Sequence, residues 1–121
     1  MTTNEIGIAS RRVLIVEDNL FLALGLVRLL RPKGVEIIGP VATVKEALAV
    51  VNNSERIDGA VLDINLRGEL VYPVVDALRP KGVRIMFMTA YDETWVKPAY
   101  ADIPCLQKPI MPERLMQALF C

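Results

Sequence analysis

The sequence predicts a doubly wound α/β fold, a five-stranded parallel sheet with helices on both faces. Two observations carry this. Short runs rich in Val, Ile and Leu alternate with helical segments five times along 121 residues. The connections are short and marked by Pro, Gly or Asn, as in parallel sheets with right-handed helical crossovers.

The elements follow in order. Residues 12–16 (RVLIV) are β-branched and apolar on both faces, as buried parallel strands are, and stop at Glu17-Asp18-Asn19. Residues 20–31 read as a helix closed by Pro32 and Gly34. Residues 35–38 form a second strand ended by Gly39-Pro40. Thr43 with Glu46 three residues later is a capping-box pattern, opening a helix that runs to about Val51. Residues 60–62 form the third strand, ending at Asp63, and residues 70–78 a helix that tolerates Pro73 in its first turn. The fourth strand, 83–88, ends at Thr89. A short helix is expected over 92–100, interrupted by Pro98. Residues 105–107 form the fifth strand, ending at Lys108-Pro109, and residues 112–120 a last helix with Pro at its start.

Composition bounds the function. A chain of 121 residues is one domain, here 11–121 after a flexible N-terminal segment, 1–10. It is 53% hydrophobic and 23% charged, which excludes a disordered chain. Net charge is zero, so nothing points to nucleic acid. Residues 1–10 lack the apolar core of a secretory signal, and the longest apolar run, 20–27, is far too short to span a membrane. Cys105 and Cys121 read as reduced thiols of a cytoplasmic protein, Cys105 as a small core residue. There is no histidine, which excludes Ser-His-Asp and Cys-His catalysis.

The chemistry lies at the carboxyl ends of the strands, where open parallel sheets bind ligands. Those ends carry Glu17, Asp18, Asp63, Thr89 and Lys108. Three carboxylates close together repel, and a hard divalent cation, Mg²⁺ or Mn²⁺, relieves this. Asp18 and Asp63 are expected as direct ligands, Glu17 mainly through water, with a backbone oxygen near Asn65. An aspartate there can accept a phosphoryl group as an acyl phosphate, while Lys108 and Thr89 hold phosphoryl oxygens.

With these residues in view, the sequence resembles a response-regulator receiver domain of two-component signalling, similar to CheY. The resemblance is carried by VLIVEDN (13–19), VLDINL (61–66), MTAY (88–91) and LQKP (106–109). It implies the flavodoxin-like strand order 2-1-3-4-5. It implies phosphorylation of Asp63 by a sensor histidine kinase or a histidine phosphotransfer protein, and a cis peptide at Lys108-Pro109. Residues 87–91 (FMTAY) are similar to the FAT GUY motif of a subgroup of often stand-alone receivers, with Met88 and Ala90 departing from it. Where typical receivers carry a switching Tyr or Phe, this chain has Cys105, and Tyr91 is expected to take over part of that role or to gate Asp63. Phe21, Gly25 and Arg28 share an outward face of an unusually apolar first helix, a candidate docking patch for a kinase bundle or a homodimer partner. Leu115, Met116, Leu119 and Phe120 could extend the core or that patch.

The expected function is a phosphorylation-controlled switch, not a turnover enzyme, read out by a downstream partner or by onward phosphotransfer since 121 residues hold no output domain. The alternative is a pseudo-receiver that never accepts phosphate. A haloacid-dehalogenase-like phosphatase would need a second Asp where Asn65 stands, and a flavodoxin-like cofactor binder a phosphate loop where Glu17-Asp18 stands.

Overall fold

The computed structural model describes residues 11–53, 56–90, 96–108 and 110–120. Strands β1 (Arg12–Val16), β2 (Glu36–Val41) and β3 (Gly59–Asp63) precede a two-stranded hairpin of β4 (Asn65–Leu66) and β5 (Glu69–Leu70), which is followed by β6 (Arg84–Thr89) and β7 (Cys105–Gln107). Helices α1 (Leu20–Leu30), α2 (Val44–Asn53), α3 (Tyr72–Leu78) and α4 (Pro112–Phe120) connect and close them. The main sheet is parallel, in the order β2-β1-β3-β6-β7. With the inserted hairpin left out of the count, this is the expected 2-1-3-4-5.

The sheet separates two apolar layers. Successive strand residues point to opposite faces, so Val13 and Ile15 pack with Leu26, Val27 and Leu30 of α1 and with Leu115, Met116 and Leu119 of α4. Leu14 and Val16 pack with α2 and α3 on the other face. The last helix therefore extends the core. Every residue of β3 is buried, which is why its sequence shows no alternation.

Several boundaries differ from the sequence reading. β2 does not stop at Gly39-Pro40 but runs through it. Leu14 pairs with Ile38 and Val16 with Val41, so one extra residue bulges out of β2. Gly39 has φ +93°, and a Cβ there would lie 2.9 Å from the Val41 nitrogen. A bulged edge strand tolerates proline, which ends a central one. The connection into α3 contains the β4–β5 hairpin, which the sequence reading passed over. Within the expected helix 92–100, the described residues 96–97 have no regular structure and are followed by a single 3₁₀ turn, Pro98–Tyr100. Cys105 is exposed and not in the core, because β7 is an edge strand.

The 3₁₀ turn is fastened to α3. The Tyr100 ring stacks on Tyr72 at 4.4 Å between centroids, and Tyr72 meets Phe87 of β6 edge-on at 6.1 Å. The Lys97 N–H donates to the Tyr72 hydroxyl, the Tyr100 hydroxyl donates to Asp76, and Arg79 forks onto both oxygens of Asp102.

Two glycine substitutions test this description. Gly25 sits on the open side of α1 with nothing within 4 Å of a would-be Cβ. Gly25→Ala is expected to raise stability by about 0.5–1 kcal/mol through helix propensity. Gly39→Ala is expected to lower it by more than about 1 kcal/mol. Urea unfolding midpoints measure both.

Candidate functional site

Each site residue is positioned by the end of a strand. The Glu17 N–H donates to the Val41 carbonyl at 2.9 Å, so the β2 bulge fixes the backbone where β1 ends. Glu17 Oε2 accepts the Asn19 N–H, and the Asn19 side chain caps α1 by accepting the Leu22 N–H. Asp63 is the last residue of β3, and its Oδ1 accepts the Asn65 N–H at 3.1 Å. Thr89 ends β6, and its carbonyl accepts the Lys108 N–H at 3.0 Å. Glu17, Asp63 and Thr89 are the buried polar residues of the described chain.

Lys108 organises these groups. Its Nζ lies 2.8 Å from Asp63 Oδ2 and 2.6 Å from Glu17 Oε1. Glu17 Oε1 is buried and makes the close ion pair without a well-directed hydrogen bond. Burial first, then the neighbouring Asp63, push the Glu17 carboxyl up to about 7, although Lys108 and the Asn19 N–H pull it down. Burial lowers the Lys108 ammonium, but its contacts with Asp63 and Glu17 outweigh this and raise it. One ammonium is thus shared between two carboxylates, and a third stands beside them. Oxygen atoms of Glu17, Asp18 and Asp63 lie within 4.8 Å of one another.

Asp18, Asp63, Asn65 and Lys108 surround an open cavity of about 270 Å³, with Arg67, Gly68 and Ala90 completing the wall. Thr89 is nearby but lines the adjoining cavity, which Lys108 also borders, together with Cys105. Its hydroxyl donates to the Ala90 carbonyl at 3.4 Å. Phe21, Gly25 and Arg28 are all exposed on α1, apart from this cavity. Tyr91 and the Lys108-Pro109 peptide lie outside the described residues.

Two groups at the site escaped the sequence reading. Arg67 and Gly68 are the central residues of the β4–β5 hairpin, with φ +55° and +94°, the positive pair a type I′ turn requires. The Asn65 side chain accepts the Gly68 N–H at 2.6 Å and fixes the turn. Arg67 Nε then reaches Asp18 Oδ2 at 3.4 Å. The legible signal was Asn65 followed three residues on by Gly68. An arginine at positive φ carries none.

The family of the response regulator receiver domain matches residues 13–120. The chain belongs to that family. No curated protein matches it. Among solved structures it is similar to SdrG from Sphingomonas melonis Fr1, with 37% identity over 91% of this chain and 93% of that one, at a TM-score of 0.81. A response regulator receiver protein from Burkholderia phymatum is 25% identical over 89% of this chain and 90% of its own, at a TM-score of 0.77. The response regulator PhyR from Brucella abortus is 25% identical with a TM-score of 0.73, and the match covers 94% of this chain but 51% of PhyR. Receiver domains act in phosphorylation-controlled signalling, are generally not enzymes, and generally bind Mg²⁺ at an acidic pocket. The donor set here fits such an ion: hard carboxylate oxygens, one of them buried and poorly satisfied. No helix among the described residues is long and apolar enough to cross a membrane.

The raised Glu17 carboxyl makes a stability prediction. A carboxyl that binds its proton more tightly in the folded chain stabilises that chain at low pH. That contribution is lost as pH rises from about 4.5 to about 7. Without divalent ions, Glu17→Gln is therefore expected to gain stability relative to the native chain between pH 5 and pH 8, by on the order of 1–3 kcal/mol. Paired urea titrations at the two pH values read the difference.

Proposed function

We propose that this receiver accepts a phosphoryl group on Asp63 from a phosphohistidine of a sensor kinase or phosphotransfer protein. The observation that supports it best is the Lys108 ammonium held between Asp63 and Glu17 at the mouth of an open cavity. An oxygen of Asp63 attacks phosphorus, the P–N bond of the donor breaks, and its electron pair returns to the imidazole. Mg²⁺ (or Mn²⁺) held by Asp18, Asp63 and a backbone oxygen near Asn65, with Glu17 through water, would neutralise charge on the phosphoryl group and its acceptor. Lys108 then exchanges an Asp63 oxygen for a phosphoryl oxygen, and the Thr89 hydroxyl turns from the Ala90 carbonyl to another. The long 3.4 Å contact of that hydroxyl costs little to give up.

The readout in this proposal is binding of a downstream partner in the cytoplasm or onward phosphotransfer. Phe21, at 84% exposure, with Gly25 and Arg28, serves as the docking patch for a kinase bundle or a second copy. An apolar recess of about 290 Å³ beside it is lined by Phe21, Leu22, Gly25, Leu26 and Leu29 and reaches Lys108. Tyr91 carries the gating role, and Cys105 stands where a switching aromatic would. The receiver unit is residues 11–121.

Intact mass after incubation with acetyl phosphate tests the reading. A phosphoryl-sized increase is expected that requires Mg²⁺ and is lost in Asp63→Asn. No increase in the native chain or in Tyr91→Ala would leave the pseudo-receiver. An increase in Tyr91→Ala alone would assign Tyr91 the gate.

A further inference from the structure

The acidic cluster has two cations against it among the described residues, and they are built differently. Lys108 is 19% exposed and pairs with two carboxylates. Arg67 is 82% exposed and reaches a single one, Asp18, its closest approach being Nε to Oδ2 at 3.4 Å. A guanidinium that binds a carboxylate tightly does so through two parallel N–H groups. The Arg67 contact is thus one that can be exchanged. Its backbone, by contrast, is firmly placed. The Asn65 N–H bonds to Asp63, the Asn65 side chain bonds to the Gly68 N–H, and the turn between them aims residue 67 at the cavity that Asp18 and Asp63 line. The hairpin is hooked to one carboxylate and lends a cation to another.

We propose that Arg67 is a positioning residue that occupies Asp18 until a divalent cation displaces it, and so sets the affinity of the site for that ion. The inference rests on the reading that these carboxylates hold a divalent cation. In the metal-free chain Arg67 keeps Asp18 turned toward the cluster and offsets part of its repulsion. Entry of the ion requires Asp18 Oδ2 to exchange a guanidinium for metal. The long, exposed side chain then returns to water at small cost, which keeps the exchange reversible.

The test is Mg²⁺ titration of the full chain by calorimetry, beside Arg67→Gln, Arg67→Lys and Lys81→Gln. Lys81 lies in the turn before β6, at the opposite end of the sheet, and controls for bulk charge. Arg67→Gln is expected to tighten Mg²⁺ binding by about two- to fivefold, the value of an exposed pair converted to affinity. Arg67→Lys keeps the native affinity, and Lys81→Gln changes nothing. In the native chain the NMR signal of the Arg67 Nε–H moves in step with Mg²⁺ occupancy, which needs no variant to fold. Unchanged affinity in Arg67→Gln, equal tightening in Lys81→Gln, or a stationary Nε–H signal overturns the proposal. Absence of Mg²⁺ binding by the native chain would overturn the metal reading itself and this inference with it. Mg²⁺ binding by the native chain with a silent Arg67 overturns the inference alone.

Discussion

A single ammonium group holds the upper end of this molecule together. Lys108 approaches from the end of β7 and contacts carboxylates at the ends of β1 and β3, so one charge ties three strands of the sheet. Removing it would leave Glu17 and Asp63 buried side by side with nothing to balance them, a costly arrangement in a medium of low dielectric. The fold accepts that arrangement because the sheet beneath is rigid. β3 is buried along its whole length and both apolar layers are closed by helices. Stability from the core is thus spent at the site, where like charges are kept close and available to an incoming cation.

The site was legible to the extent that it depends on residue type at strand ends. Acidic residues after β1, Asp63 at the end of β3 and Thr89 at the end of β6 each close an apolar run that reads as an interior strand, and Lys108 follows the short edge strand β7. The topology then brings those ends together. What escaped was set by backbone geometry and edge position. Arg67 adopts a positive φ that its residue type does not announce, so neither the hairpin nor the contact with Asp18 could be read. Cys105 follows an apolar stretch, but its strand has a neighbour on one side only, and the thiol is exposed.

The first helix illustrates the same limit. Its composition is apolar almost throughout, and composition alone does not say which side turns inward. Ala23, Leu26, Val27 and Leu30 face the sheet, while Leu20, Phe21 and Leu24 face outward. Three large apolar side chains on the outer side of one helix are more than core packing requires. Phe21 among them also lines the recess that reaches Lys108.

The bulge at Gly39-Pro40 has a consequence for how copies of the chain can meet. An open sheet offers unpaired N–H and C=O groups along its outermost strands, and these invite a strand from another molecule. Here β2 is one border, and it is kinked by an extra residue and by a proline without an N–H to donate. The other border, β7, is only three residues long. Neither presents a continuous row of hydrogen-bonding groups. Both flanks of the sheet therefore disfavour extension by a strand of another copy, a guard against fibrillar pairing in a chain rich in β-branched residues.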